Sequence, residues 1–127
     1  MSLNKEYPYK NECYKIIGLS MEVHSILGKG LSEVVYKDAL EYELVKNKIP
    51  FSREVKFQVE YKDVILNHHY YADFIVYENI ILEIKAKKDI IEEHIAQTLN
   101  YMNISKSRIG LIINFGEDSL TYKRLIL

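Results

Sequence analysis

Two apolar segments of the sequence contain charged residues that are suited to chemistry. Asp73 lies within residues 71–76, and Glu83 and Lys85 lie within residues 80–86. Aspartate is depleted from strand interiors, so Asp73 is unexpected in such a segment. Residues two apart on a strand share a face and lie about 6.6 Å apart, so Glu83 and Lys85 point the same way. Two carboxylates and an ammonium in this arrangement predict a site for a divalent cation.

A divalent cation at this position would act on a phosphate. Mg²⁺ takes oxygen ligands, usually one or two carboxylates together with waters and phosphate oxygens. Lys85 would orient or activate the attacking water, or neutralise charge on the phosphate. The alternative is a cross-strand salt bridge on a solvated sheet face, because an aspartate followed by a Glu-x-Lys segment is a short pattern. The residues alone leave both interpretations open.

Glu33 adds a third carboxylate from a predicted helix. It shares one stripe of that helix with Tyr36, Leu40 and Leu44, so it points with the apolar face toward the body of the protein. A glutamate in a first turn is also favoured by the helix dipole. The dipole explains the position of Glu33 along the helix but not its face.

The last predicted helix presents His94, Gln97 and Tyr101 on one stripe. Gln97 can donate a hydrogen bond to a phosphate or to a water on the metal, whereas for His94 we favour a boundary position half in water. His24 lies one turn before the bend at residues 28–30 and can reach the cleft of Glu33, although a buried, hydrogen-bonded histidine is the alternative we favour.

The lysines near the Glu-x-Lys segment form a small basic patch or an ordinary solvated surface. The patch comprises Lys29, Lys85, Lys87 and Lys88. The eleven tyrosines suit amphipathic packing, with stacking on nucleic-acid bases as the second interpretation.

The apolar periodicity predicts the elements that must position these residues. A period of 3.6 residues indicates helices over 11–27, 32–47 and 90–105, and Ser32 is a suitable cap for the second. The apolar stripes of the first and third helices are Ile16, Leu19, Val23, Ile26 and Ile91, Ile95, Leu99, Met102. Alternating or continuous apolar runs indicate strands over 54–61, 64–68, 70–77, 80–86, 108–115 and 122–127. This order predicts a single α/β domain over residues 1–127, with a central mixed β-sheet flanked by helices.

The turn before the Glu-x-Lys strand decides whether the carboxylates meet. A two-residue turn would place Glu83 on the face opposite Asp73. A three-residue loop of Tyr77, Glu78 and Asn79 pairs Val76 with Ile80, and therefore Asp73 with Glu83. We predict this odd loop, with Asn79 in the left-handed conformation at its last position.

Composition limits the class of protein. The chain has 127 residues, 48% of them apolar, and a net charge of −1 from 17 basic and 18 acidic residues. Disorder and a global attraction to nucleic acid are therefore excluded. The single cysteine, Cys13, excludes an internal disulfide.

The first twelve residues do not resemble a signal peptide, and no apolar run approaches the ~20 residues of a membrane span. We expect a cytoplasmic protein that does not enter a membrane.

The segment at residues 30–36, Gly-Leu-Ser-Glu-Val-Val-Tyr, resembles the motif that names the GxxExxY proteins. The resemblance covers residues 16–115. Its other matching positions are His24, Leu27, Gly28, Ala39, Leu40, Glu43, Leu44, Ala72-Asp73, Glu83-Ile84-Lys85-Ala86, Ala96-Gln97, Tyr101 and residues 110–116.

The GxxExxY proteins are placed in the PD-(D/E)XK nuclease-like superfamily, which has a restriction-endonuclease-like core. The resemblance implies that Asp73 and Glu83 are metal ligands and that Lys85 is the catalytic lysine. It further implies that Glu33 is the carboxylate of the first core helix and Gln97 the glutamine of the helix after the Glu-x-Lys strand. The chain departs from the pattern at residue 72, where alanine takes the place of the proline in the superfamily's name.

The leading hypothesis is a metal-dependent nuclease or related phosphodiesterase that acts on DNA or RNA. Its catalytic residues would be Asp73, Glu83, Lys85 and Gln97. Glu33, Asp73 and Glu83 would hold Mg²⁺ or Mn²⁺ with the carbonyl of Ile84. We expect His24, Tyr36, Tyr101 and Lys87 beside the substrate.

Two alternatives belong to other classes of protein. One is a nuclease-like module that binds nucleic acid or a protein partner without cutting. The other is a subunit whose exposed edge strand builds a homodimer. The intact site favours the enzyme. The near-neutral charge and the lack of a helix-turn-helix or zinc finger favour a binding module, or an enzyme that another molecule recruits.

Overall fold

The computed structural model describes residues 8–127, which begin with two helices. Helix α1 spans Lys10–Leu27 and α2 spans Glu33–Lys46, as the periodicity predicts. Gly28 and Gly30 between them have φ values of 69° and 103°, which glycine adopts without strain. Most of the segment assessed for a signal peptide lies outside the described residues. Within residues 8–127, no helix is both long and apolar enough to cross a membrane.

The buried face of α1 differs in one position from the predicted stripe. Ile16, Leu19 and Val23 are buried, but the side chain of Ile26 is 72% exposed. At 100° per residue, position 26 lies about 80° away from position 16, whereas position 27 returns almost to the same direction. The buried residues of α1 end at Val23 and His24, and the prediction for Ile26 was wrong.

Five strands form one mixed sheet in the order β1-β2-β3-β4-β5. Their bounds are Phe51–Tyr61, Val64–Val76, Ile80–Lys85, Ile109–Asn114 and Thr121–Ile126, with α3 at Glu92–Ser105 between β3 and β4. The two predicted segments at 64–68 and 70–77 form the single strand β2. Only β3 and β4 are parallel, because α3 carries the chain back across the sheet between them. The predicted α/β architecture is confirmed, and β5 lies at an edge of the sheet.

Helices cover both faces of the sheet. The larger core cluster joins α1 and α2 to alternate residues of the central strands, with Tyr36, Leu40, Leu44, Leu82 and Ile84 all fully buried. The smaller cluster lies on the other face, where Tyr101 and Met102 of α3 pack with Ile81 and Ile112. Every residue of β3 except Lys85, and every residue of β4, is buried. This arrangement accounts for their almost continuous apolar sequence.

The connection between β2 and β3 has the predicted length. Val76 pairs with Ile80, Ile75 with Ile81 and Phe74 with Leu82, so residues 77–79 form a three-residue loop. The left-handed residues of this loop are Tyr77 and Glu78, at φ 54° and 66°. The expectation for Asn79 was wrong, because the loop turns at its first two residues instead of its last.

Gly116 lies where the chain leaves β4 and contacts the segment that follows β3. A Cβ atom at position 116 would lie 2.1 Å from the carbonyl oxygen of Lys87 and 2.6 Å from the carbonyl carbon of Ala86. A side chain at this position must displace backbone. The contact thus holds the end of β3 close to the end of β4.

We expect Gly116→Ala to destabilise the fold by roughly 2 kcal/mol or more, because it forces backbone apart in a close-packed region. The matched control is Gly18→Ala in the interior of α1, where an added Cβ meets no atom within 4 Å. Alanine there should stabilise the protein by about 0.5–1 kcal/mol, since glycine weakens a helix interior. Urea unfolding measures both changes, and equal effects of the two substitutions would contradict the close contact.

Candidate functional site

Asp73 and Glu83 are joined by crossed hydrogen bonds between side chain and backbone. The backbone N–H of Asp73 donates to Glu83 Oε2 over 2.9 Å, and the N–H of Ile84 donates to Asp73 Oδ2 over 2.8 Å. The odd loop is what allows this, because it places Asp73 opposite Glu83 in the register. The structure therefore brings together the two carboxylates that the sequence predicts as partners.

The pair lies where the β2–β3 ladder ends. The last backbone pair is Phe74 with Leu82, and Asp73 and Glu83 are the next position along. At this position the carboxylate oxygens of the two side chains accept backbone N–H groups. If the ladder continued, these N–H groups would pair with carbonyl oxygens of the opposite strand. The carboxylates are consequently held in place by backbone instead of by flexible side chains.

Burial governs the charge of Glu83, whose residue surface is only 4% exposed. Burial and the negative charge of Asp73 together raise the pKa of Glu83 to about 8. The N–H of Asp73 and the positive charges of Lys85 and Lys37 act in the opposite direction without offsetting this effect. A salt bridge on a solvated sheet face, the alternative interpretation of this sequence pattern, is therefore wrong for Glu83.

Lys85 shares its face of β3 with Glu83 and Ile81, the face that α3 covers. Its side of the strand is half-buried, and its charge lowers the pKa of both Glu83 and His94. Burial is the main cause of the lowered pKa of His94, and the charge of Glu33 opposes it. Lys85 thus acts electrostatically on both β3 and α3.

His94 also caps the N-terminus of α3. Its Nδ1 accepts the backbone N–H of Ile91 over 3.3 Å, which satisfies one of the free donors at the helix N-terminus. A lowered pKa keeps the ring neutral and the acceptor available. The half-buried boundary position expected for His94 is confirmed, while Ile91 before the helix is 44% exposed and does not join the apolar stripe.

Sequence reasoning missed Lys37. Its Nζ donates to Asp73 Oδ1 over 3.1 Å and also pairs with Glu54, and its side chain is only 14% exposed. Burial lowers the pKa of Lys37, but its hydrogen bonds to Glu54 and Asp73 and the charges of these partners raise it by more. Lys37 lies one helical turn after Glu33, and that spacing was the available signal.

Glu33 does not join the carboxylate pair in a preassembled metal cluster. Among residues 8–127, no three His, Cys, Asp or Glu side chains are placed to hold one metal ion. Glu33 is half-buried at the first position of α2, on the predicted side of the helix and within electrostatic range of His94. The pair Asp73–Glu83 is therefore the assembled part of the predicted ligand set.

Three residues expected beside the substrate are buried instead. Tyr36 is fully buried, stacks on Phe115 at 4.5 Å and donates its hydroxyl proton to Gly28 over 2.6 Å. His24 is 9% exposed, and its Nε2 lies 2.9 Å from the carbonyl oxygen of Glu117. Tyr101 is 7% exposed and packs against Tyr70. Because core packing takes up these side chains, they offer a substrate little surface, and the buried interpretation of His24 is confirmed.

Gln97 and Lys87 are exposed. Gln97 lies on α3 one turn after His94, and its side chain is open to solvent. The backbone of Lys87 is anchored on both sides by buried Asn114, whose Oδ1 accepts its N–H and whose Nδ2 donates to its carbonyl, both over 2.9 Å. Lys29 of the predicted basic patch pairs with Asp118 at 2.7 Å.

The chain was compared with known protein families. The sequence model of the PD-(D/E)XK nuclease superfamily matches residues 10–125, nearly the whole chain. The chain belongs to this superfamily. No curated protein matches the chain.

A solved structure gives the same fold for this PD-(D/E)XK domain. The crystal structure of SSO0001 matches with a TM-score of 0.60 at 18% sequence identity, covering 93% of the chain. The chain spans 60% of the length of that protein. The likeness supports the PD-(D/E)XK architecture described above.

The residues of the candidate site fit a divalent metal ion. Asp73 and Glu83 provide hard oxygen donors of the kind that Mg²⁺ and Mn²⁺ prefer. The ammonium of Lys37 already lies against Asp73, so this carboxylate attracts a cation in the present arrangement. Burial and the negative charge of Asp73 raise the pKa of Glu83, so further positive charge beside this carboxylate would be favourable.

The pKa of Glu83 predicts how metal-free stability depends on pH. The unfolded side chain loses its proton near pH 4.5 and the folded one near pH 8, so the unfolded state binds fewer protons between these values. Stability should therefore fall as pH rises through this window, by up to about 1.4 kcal/mol per pH unit from this group.

Glu83→Gln should flatten this decline and make the protein more stable than the wild type at pH 8. The glutamine oxygen can still accept the N–H of Asp73. Urea unfolding in EDTA at several pH values between 5 and 8.5 measures the difference. Parallel curves for the two proteins would show that Glu83 is not protonated in the folded state.

Proposed function

We propose that the protein is a metal-dependent nuclease that hydrolyses phosphodiester bonds in DNA or RNA, and that it is a GxxExxY-type member of its superfamily. The observation that carries the proposal is the pair of buried Glu83 and half-buried Asp73, with Lys85 on the same face of β3 as Glu83. A buried carboxylate pair is costly without a cation, so a purely structural role does not explain it.

Asp73 and Glu83 would hold Mg²⁺ or Mn²⁺, with the carbonyl of Ile84 and the nearby Glu33 as further oxygen donors. A divalent cation supplies charge neutralisation at the phosphate and a lowered pKa for a water molecule. The backbone hydrogen bonds to Asp73 and Glu83 fix the direction of their oxygens before any ligand arrives. Such preorganisation lowers the cost of assembling the site.

Lys85 would orient the attacking water and stabilise negative charge that develops on the phosphate. Its half-buried position beside Glu83 strengthens this electrostatic effect relative to an exposed lysine. Gln97, exposed on α3, would donate a hydrogen bond to a phosphate oxygen. Lys87 would contact the nucleic-acid backbone, since its main chain is fixed by Asn114 and its side chain is free to reach solvent.

A second candidate is a module that binds nucleic acid or a protein partner without cutting. The near-neutral chain favours a protein partner for such a module, because it provides little sequence-independent attraction to a polyanion. The module would work in the cytoplasm, either with that partner or as a homodimer through an edge strand such as β5.

Metal binding should appear as thermal stabilisation. A cation that binds only the folded state adds about 2.7 kcal/mol at a hundredfold excess over Kd, roughly 10 °C in melting temperature for a domain of this size. Mg²⁺ or Mn²⁺ should raise the melting temperature of the wild type and raise it less in Asp73→Asn. Scanning calorimetry with each metal provides the measurement, and equal shifts in both proteins would place the metal elsewhere.

Cleavage should require Lys85. With Mg²⁺ or Mn²⁺, the wild type should cut a substrate from a panel of single-stranded, double-stranded and branched DNA and RNA. Lys85→Ala should abolish cutting while retaining metal binding, because an ammonium is not a ligand. Asp73→Ala should lose both, and Ca²⁺ should support binding of nucleic acid with little turnover, since it positions water less tightly.

Lys46→Ala is the matched control for this assay, because Lys46 is an exposed lysine in the last turn of α2. It should cut as the wild type does. Cleavage that is the same in wild type and Lys85→Ala would reveal a contaminating nuclease. Binding of nucleic acid by the wild type without any cleavage would favour the binding module.

A further inference from the structure

Lys37 is a buried cation that bridges two strands beside the candidate metal ligands. Its Nζ lies 3.1 Å from Asp73 Oδ1 on β2, and it forms a second ion pair with Glu54 on β1. Tyr36, the preceding residue, is fully buried against Phe115, so the backbone of α2 cannot drift away from the sheet at this point. The ammonium is therefore held within reach of both carboxylates.

The backbone of Glu54 is unusual at the same location. Glu54 lies between the pairs Arg53–Phe74 and Val55–Ala72, which places it opposite Asp73 in the register. Its φ of 54° is in the left-handed region, inside a strand and at a residue other than glycine. Such a conformation is energetically costly and is retained where the surrounding structure demands it.

The ion pair is what Glu54 contributes at this strained position. A residue in the ordinary strand conformation would not have a left-handed backbone. In its strained conformation, Glu54 pairs through its carboxylate with Lys37, which already has Asp73 as a partner. Lys37 thus has one partner that is a candidate metal ligand and one, 48% exposed, that is not. Two partners of this kind allow the ammonium to leave one without losing the other.

We infer that Lys37 controls the affinity of the site for a divalent cation. When Asp73 binds the metal, the carboxylate of Glu54 retains the ammonium of Lys37. This inference rests on the proposed metal site at Asp73 and Glu83. In the metal-free protein, Lys37 supplies the positive charge beside Asp73. On metal binding, the ammonium keeps its pair with Glu54, while Asp73 Oδ1 exchanges the ammonium for the cation.

Electrostatics gives the sign of each effect. An ammonium next to a metal ligand repels a divalent cation and competes for the same oxygen, so removal of Lys37 should tighten metal binding. Removal of the Glu54 charge should weaken it, because the displaced ammonium then has no carboxylate to hold it. A lysine that served only to orient Asp73 would show the opposite result, since its loss would weaken metal binding.

The experiment measures Mn²⁺ binding directly, by electron paramagnetic resonance of free Mn²⁺ and by calorimetric titration of the purified protein. Lys37→Met should lower the Kd for Mn²⁺ by at least about tenfold, and Glu54→Gln should raise it. In the double variant, the effect of Glu54→Gln should shrink, because no ammonium remains to be held. Lys37→Gln, which can still donate hydrogen bonds to both carboxylates, guards against misfolding of the methionine variant and should also tighten binding.

Lys46→Met is the control, because it removes the same charge from the exposed last turn of the same helix. It should change the Kd by less than about twofold. Unchanged or weaker Mn²⁺ binding in both Lys37 variants would overturn the inference. If the wild type itself binds no Mn²⁺, or binds it equally well as Asp73→Asn, the proposed function fails first, and the two failures remain distinguishable.

Discussion

The N–H of Asp73 donates to Glu83, and the N–H of Ile84 donates to Asp73, at the position where the ladder between β2 and β3 ends. These crossed bonds impose a single relative placement on two carboxylates that would repel each other if free. Everything else at the site follows from that placement. The three-residue loop sets the parity, and the helices on either side exclude the water that would otherwise screen the charges.

The resulting charge imbalance is the main electrostatic property of the candidate site. Glu83 is buried with too little positive charge nearby, and its pKa rises to about 8 in consequence. Lys37 and Lys85 reduce the imbalance from two directions, the first on Asp73 and the second beside Glu83. A divalent cation would complete the compensation, which is why the PD-(D/E)XK assignment and the local electrostatics agree.

Packing around the end of β4 keeps this arrangement in place. The side chain of Asn114 holds the backbone of Lys87. The backbone of Gly116 lies directly against the backbone of Lys87, with no room for a side chain between them. The N–H of Phe115 donates to the carbonyl of Lys85 over 2.8 Å. The aromatic ring of Phe115 stacks on Tyr36 and so ties α2 to the same edge. The strand that carries Glu83 and Lys85 is thus fixed from the sheet side and the helix side together.

Local pattern was enough to determine much of this protein. Hydrophobic periodicity predicted the three helices and the strands. The alternation of side chains between the two faces of a strand, together with a three-residue loop, paired Asp73 with Glu83. Both rules act over only a few residues. The pattern could not assign the tyrosines and His24, since an amphipathic ring fits a core or a surface equally well until its neighbours are known. Lys37 became the partner of both Asp73 and Glu54 only through tertiary structure, because α2, β1 and β2 meet there from distant parts of the chain, and no local rule encodes such a contact.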